Sequence, residues 1–232
     1  MSQSFSLLDS LAVADLQTYL SRAARVEEGS VRLIGASGVL AVYTAILYPR
    51  GLLDRTPTVL GLRTFAIGEG EAFDAVVPIR SLLDRLARLG ESLAAVAPDA
   101  ETADGPVEVR MPLEVSTVTW AGISPPRGGW RPVGETGPEL LSSTAAAGIA
   151  EVAEAVPGGT GEQLVQRVRA EVWGRPIEGL EYVPTGAAFA AESLGFLAEG
   201  EPVSILETGT WTRLTTQRGH TLIRRQAWSL RG

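Results

Sequence analysis

Apolar residues recur at helical spacing near the start of the chain, at Leu7, Leu8, Leu11, Leu16 and Leu20. Ser6 and Asp9 form a capping-box pattern at the front of this stretch, and Gly29 ends it. The spacing predicts a first helix from about Ser6 to Gly29 that is about two-thirds buried.

From Ser30 the pattern changes to that of strands. Three stretches, residues 31–34, 39–47 and 58–67, are rich in Val, Ile, Thr and aromatic residues and are separated by Gly and Pro. Such segments are typical of antiparallel strands. Pro78 and the pair Ser81 and Asp84 then predict the start of a second helix, which Gly90 is expected to stop.

The second half of the chain is mainly helical in pattern. Residues 107–119 predict one or two strands, and residues 121–138 are rich in Pro and Gly without any period. A loop of that length is uncommon inside a compact domain and is usually functional or a linker. Helical spacing follows over about 136–157, 160–172 and 185–198, the first two helices with caps at Thr136 and Thr160.

Short strands at 203–206, 211–216 and 220–225 close the chain, with Gly219 at a hairpin turn. Because strands cluster early and late while helices fill the middle, we predict an α+β fold. It consists of a largely antiparallel sheet of roughly five to eight strands with packed helices. We expect one globular domain over residues 1–232, and the only candidate sub-division lies near 121–138.

The amino-acid composition excludes several kinds of catalytic and metal-binding site. All 20 basic residues are Arg, Cys is absent, and the single histidine is His220. A Schiff-base or P-loop Lys, a thiol nucleophile, a disulfide and a zinc site of several imidazoles or thiolates are therefore excluded. The sequence predicts no cofactor and no metal. The joint absence of Lys and Asn, beside abundant Ala, Gly, Val and Arg, indicates a coding sequence of high G and C content.

The charge is distributed unevenly. The net charge is −7, yet no acid follows Glu207, so residues 208–232 carry +5 and the rest, with 15 Arg against 27 acids, carries −12. An acidic body argues against general nucleic-acid binding.

The longest apolar stretch, residues 38–48, is about half as long as a membrane helix, and the first 20 residues have no basic leader. We expect a cytoplasmic protein without a membrane partner.

Two segments carry candidate binding residues. Arg127, Trp130 and Arg131 stand among the Gly and Pro residues of 121–138, and Trp with Arg is typical of binding hot spots. Either Trp130 packs into the core, or this loop contacts a protein partner or an anionic ligand. The second segment, residues 211–228, is basic and aromatic and contains Trp211, Arg213, Arg218, His220, Arg224, Arg225 and Trp228.

A basic aromatic hairpin of this kind can bind nucleotides by phosphate contacts and stacking. Docking on the acidic body of the protein itself is the simpler interpretation, and we favour it. The binding candidates in this hairpin are Trp211, Arg213, His220 and Arg224, and they add to the three in the loop.

Three weaker patterns complete the candidates. The stretch 35–38 fails as a nucleophile elbow, because Val39 stands where that motif needs Gly. Residues 158–161 precede a predicted helix and suit a phosphate, but a capped turn is the simpler interpretation. Glu69, Glu71 and Asp74 offer oxygen ligands for a cation, although a solvated acidic turn is favoured.

Two functional hypotheses follow. The first is a non-catalytic interaction or regulatory protein that uses the Arg and Trp residues of the loop and the hairpin. The alternative is a small-molecule or phosphoryl-substrate enzyme that uses carboxylates and Arg, with the turn at 69–74 as its site.

Three segments carry a resemblance to known proteins: TWTRLTTQRGHTLIRR at 210–225, LSSTAAAG at 141–148 and GAAFAAESLGFL at 186–197. They resemble a group of conserved, uncharacterised proteins restricted to actinobacteria. The resemblance covers most of the chain, and the composition agrees with such a source. It implies relatives but no activity and no catalytic residues.

Overall fold

The computed structural model describes residues 3–51, 54, 56–96, 105–116, 118–157, 159 and 161–224. The chain divides into two compact units. The first unit consists of Met1–Thr44 and Leu62–Gly122, and the second of Ala45–Gly61 and Ile123–Gly232. The chain therefore passes into the second unit within one strand, returns within another, and enters it again inside the Pro- and Gly-rich segment.

The first unit has two long helices and a sheet. Its elements are β1 (Ser4–Leu7), α1 (Ser10–Val26), β2 (Ser30–Ala36), most of β3 (Val39–Leu47), the end of β4 (Thr58–Ala66), β5 (Phe73–Pro78), α2 (Ile79–Val96), β6 (Val107–Arg110) and a 3-10 turn at Thr119–Gly122. The strand order is β5-β2-β3-β4, with β2 antiparallel to both neighbours, and β1 pairs with β6.

The first helix begins later than the leucine pattern predicts. Asp9 is its N-cap, and the Asp9 Oδ1 accepts a hydrogen bond of 2.7 Å from the Ala12 N–H. Ser6 lies in β1 instead, where it pairs with Glu108. A strand pairing across about 100 residues therefore overrides the local capping signal. The buried side of α1 includes Tyr19, whose hydroxyl lies 2.9 Å from the Thr44 hydroxyl.

The second helix is longer than predicted, because Gly90 does not end it and α2 continues to Val96. A glycine inside a helix costs about 1 kcal/mol relative to Ala. The apolar side of α2, with Leu82 and Leu86 fully buried, offsets that cost.

The second unit combines three helices with the C-terminal strands. Its elements are β7 (Arg131–Thr136), α3 (Pro138–Ala155), α4 (Glu162–Gly174), β8 (Pro176–Ile177), β9 (Leu180–Pro184), α5 (Thr185–Ser193), β10 (Val203–Thr208), β11 (Trp211–Thr216), β12 (Gly219–Arg224), the end of β3 and the start of β4. The strand order is β4-β12-β11-β10-β7, and β8 pairs with β9. The pairings of β12, β11, β10 and β7 are antiparallel.

One face of this sheet packs against helices. Its buried side chains include Val203 and Ile205 on β10, Leu214 on β11 and Ile223 on β12, and they cluster with Leu141 of α3 and with α5. Side chains of a strand point alternately to the two faces. The opposite face of the same strands therefore carries Ser204, Leu206, Thr208, Trp211, Arg213, Thr215, His220, Leu222 and Arg224, and we call it the Arg213 face.

The helices of this unit meet around Trp173, which is fully buried. Its ring stacks on Phe189 with 4.3 Å between the centroids. A Cβ atom at Gly148 would overlap the Trp173 ring, and one at Gly186 would lie 2.9 Å from the Trp173 carbonyl oxygen. Gly148 therefore lets α3 approach the indole closely, and Gly186 lets α5 approach the backbone of Trp173.

The predicted α+β fold, with a largely antiparallel sheet and packed helices, is confirmed. Its largest sheet has eight strands in the described part of the chain. Besides the start of α1 and the end of α2, three further local predictions are wrong. Residues 131–136 form β7, α3 is capped at Gly137 rather than Thr136, and α5 ends at Ser193 rather than near residue 198. Of the one or two strands predicted over 107–119, only β6 is present among the described residues. Residues 176–184 form a small hairpin that the pattern does not indicate. The cap predicted at Thr160 lies outside the described residues. No helix in the described part of the chain has the length and hydropathy to cross a membrane.

Candidate anion-binding site

Trp130 and Arg213 come from the two segments that the sequence singles out, and they are in contact. The guanidinium carbon of Arg213 lies 4.5 Å from the centroid of the Trp130 ring. This is a cation–π geometry, in which the ring face attracts the positive charge. Trp130 is half-buried. It therefore lies over a strand of the sheet instead of filling the core.

The loop before β7 holds Trp130 in place. The Trp130 indole N–H donates a hydrogen bond of 3.1 Å to the Pro126 carbonyl oxygen. Gly129 has a φ of 77°, which favours glycine, and a Cβ there would lie 3.3 Å from the Thr208 hydroxyl. The turn thus closes against β10 and leaves Arg127 exposed at its tip.

Arg213 is a half-buried cation on β11. Its Nε is buried without a hydrogen-bond partner, and no carboxylate pairs with the guanidinium, among the residues that the structure describes. Burial lowers the pKa of the guanidinium from its usual value. An arginine stays protonated even so. The site therefore has a positive charge that is partly desolvated and has no carboxylate counter-ion among the described residues.

His220 neighbours this cation on the same face. Burial, with a smaller contribution from the charge of Arg213, lowers the pKa of His220 to about 4. The imidazole is therefore neutral at pH 7. Its Nδ1 lies 3.2 Å from the Thr215 hydroxyl on β11. We call Trp130, Arg213, Thr215 and His220 the Arg213 site.

Polar side chains continue from this site across the sheet. Thr215 pairs with both His220 and Ser204, and Ser204 pairs with Glu135 on β7. The Ser204 hydroxyl lies 3.5 Å from the Glu135 carboxylate. A row of polar groups therefore crosses four strands and ends in one acid. Sequence reasoning missed Thr215, Ser204 and Glu135, although the hairpin register around Gly219 places Thr215 opposite His220.

The other predicted site residues are separated from this contact. Arg131 is exposed on β7 and pairs with Glu207, which belongs to the helix-packed face. Trp211 is buried, and Arg224, its partner on β12, is exposed at the strand end. Arg225 and Trp228 lie outside the described residues. Of the predicted residues, the structure thus brings together Trp130 of the loop with Arg213 and His220 of the hairpin.

The acidic turn at 69–74 holds strands together. The Glu71 carboxylate accepts hydrogen bonds of 3.0 and 3.2 Å from the Ser6 N–H, which ties the turn to β1. Asp74 lies in β5 and binds the Arg32 guanidinium through both oxygens, at 2.6 and 2.8 Å. Among the described residues, no group of three or more acidic, His or Cys side chains is placed to hold a metal ion.

Each part of the chain matches a family model. Residues 1–105 match a domain of unknown function (DUF8010), and residues 125–228 match a second domain of unknown function (DUF8185). A search of curated proteins gave no match.

The fold is similar to that of solved bacterial sliding clamps. The DnaN sliding clamp of Bartonella birtlesii bound to griselimycin has a TM-score of 0.52 at 11% identity, over 98% of this chain and 66% of that one. DNA polymerase III subunit beta of Borrelia burgdorferi, in complex with a natural product, has 0.51 at 6%, over 98% and 66%. Caulobacter crescentus pol III beta has 0.50 at 11%, over 98% and 67%. The chain spans about two thirds of these structures, and at such identities the likeness is one of fold.

Proposed function

We propose that the chain is a non-catalytic interaction protein that binds an anionic group of a partner or ligand at the Arg213 site. The observation that carries the proposal is the Arg213 guanidinium, which is half-buried on Trp130 and lacks a carboxylate partner among the described residues. Removing a charged group from water without pairing it is costly. A bound anion would recover that cost.

The charge pattern around the site supports this proposal. The chain carries a net charge of −7, so an anion approaching most of its surface is repelled. Arg213 and Arg224 share one face of the sheet, and Arg127 is exposed in the adjoining loop. The only side chain of the row through Thr215 that carries a negative charge is Glu135, at its far end.

The enzymatic alternative has less support. Of the three acids it relies on, Glu69, Glu71 and Asp74, two are engaged within the fold: Glu71 accepts from the Ser6 N–H, and Asp74 binds the Arg32 guanidinium. The cytoplasmic location and the actinobacterial relatives stay predictions from the sequence and belong to this proposal.

Replacing Arg213 by Gln should weaken the binding of an acidic segment. We expect the Kd for a fluorescein-labelled decaglutamate peptide to rise about tenfold, or about 1.4 kcal/mol, measured by fluorescence anisotropy at low salt. The physical reason is the loss of the only desolvated cation at the site.

Arg218→Gln is the matched control. Arg218 is exposed at the turn of the same hairpin, so this variant has the same net charge as Arg213→Gln. Its Kd should stay within about twofold of the wild-type value, because an exposed charge is screened by water and salt. Equal weakening by both variants, or an absence of binding to the wild-type protein, would contradict the proposal.

A further inference from the structure

We infer that the Arg213 site accepts a single carboxylate in preference to a phosphate. This inference rests on the proposed function and specifies the chemistry of its ligand. The starting point is the geometry of the site, in which the indole of Trp130 covers one face of the guanidinium. The Nε atom is buried and lacks a partner among the described residues.

The buried Nε decides which donors are left. An arginine offers five N–H donors, four of them on the two terminal nitrogens. With Nε enclosed and one face covered by an aromatic ring, a ligand approaches along the edge of these terminal nitrogens. Two parallel N–H donors on that edge match the two oxygens of a carboxylate.

The charge at the site matches one negative charge. Arg213 is the one half-buried cation of the site, since His220 next to it is neutral at pH 7. Arg224 lies further along the same face but is exposed, so solvent screens its charge. A carboxylate carries one negative charge, whereas a phosphate monoester carries about 1.5 to 2 at pH 7. The second charge of a phosphate would have no desolvated cation to meet.

The row of polar side chains next to Arg213 also favours a carboxylate. Thr215 and Ser204 supply hydroxyl groups, which serve a carboxylate as hydrogen-bond donors. The row ends at Glu135, whose negative charge repels a doubly charged ligand more than a singly charged one. The hydroxyls can donate to either anion, so the preference for a carboxylate comes from the single cation and the terminal acid.

His220 makes the test direct, because it is the only histidine in the chain. The Hε1 proton of its imidazole therefore gives one resolvable NMR signal, which reports on the neighbouring Arg213. Three probes of similar size separate the ligand classes: acetyl-Ala-Glu-Ala-amide, acetyl-Ala-Ala with a free C-terminal carboxylate, and acetyl-Ala-phosphoserine-Ala-amide. Each is titrated into the wild-type protein, Arg213→Gln and Arg218→Gln.

We expect at least one carboxylate peptide to shift the His220 signal in a saturable way, with a Kd about tenfold lower than that of the phosphoserine peptide. The shift should be absent in Arg213→Gln and retained in Arg218→Gln. Whichever of the two carboxylate peptides binds more tightly shows whether the site prefers a side-chain carboxylate or a C-terminal carboxylate.

Tighter binding of the phosphoserine peptide would overturn the carboxylate inference and leave the proposed anion site intact. A response to none of the three peptides, together with no binding of decaglutamate, would overturn both. A shift that persists in Arg213→Gln would also overturn the inference, since it would place the ligand elsewhere.

Discussion

Replacing Trp173 by Ala is expected to lower the free energy of unfolding by about 3 to 5 kcal/mol. The side chain is fully buried in the second unit and stacks on Phe189. Its removal deletes a large apolar surface and leaves a cavity beside α3, because Gly148 has no side chain that could fill the space of the ring. Urea denaturation followed by circular dichroism measures the change.

Trp130→Ala is the control for this prediction, since it also truncates a tryptophan of the second unit, but a half-buried one. It should lower the free energy of unfolding by less than half as much.

Gly148→Ala is the complementary change. Its Cβ would overlap the Trp173 ring, so it should lower the free energy of unfolding by about 1 to 3 kcal/mol. The same substitution should destabilise the Trp173→Leu variant less than the wild-type protein. Equal losses of unfolding free energy in the two proteins would contradict this packing.

The strands of the first half could be predicted from the sequence because their signal is local. Val, Ile and Thr recur between Gly and Pro residues, and β2, β3 and β4 lie within three residues of the predicted bounds. The closing hairpin is equally local, since the turn before Gly219 fixes the register of β11 and β12. Both successes depend on residues close together in the chain.

The failures share a different cause, which is pairing between distant segments. Residues 131–136 have no periodic pattern and five of the six are exposed, yet they form β7 because β10 offers them a partner. Ser6 has a capping pattern but joins β6 instead. The residue pattern of one segment does not show which distant segment will pair with it.

The candidate site shows the same division. Trp130, Arg213 and His220 are noticeable by residue type alone, in a chain with five Trp and one His. The hairpin register already places Arg213 and His220 on one face, but the contact of Trp130 with Arg213 was not predictable. That contact depends on the pairing of β10 with β11 and with β7, and on the turn that Gly129 closes against Thr208. Within the described part of the chain no carboxylate pairs with Arg213, and this too is a property of the packed sheet that the sequence pattern does not show.

Mild acid should destabilise the folded protein through His220. The pKa of His220 is about 4 in the folded protein, against about 6.5 in an unfolded chain. Between pH 6.5 and pH 4 the unfolded state therefore binds a proton that the folded state does not, and the free energy of unfolding falls as the pH is lowered through this window. Because the imidazole keeps some contact with solvent, we expect this histidine to account for a loss of about 2 kcal/mol between pH 7 and pH 4.5.

His220→Gln isolates this contribution, because the carboxylates that titrate near pH 4 are the same in both proteins. Urea denaturation at pH 7 and at pH 4.5 gives the two free energies, and the wild-type protein should lose about 2 kcal/mol more than the variant. Arg213→Gln should show an intermediate loss, since removing the neighbouring charge raises the pKa of His220 and leaves only the effect of burial. If the wild-type protein and His220→Gln lose stability in parallel, the imidazole is not held neutral beside Arg213.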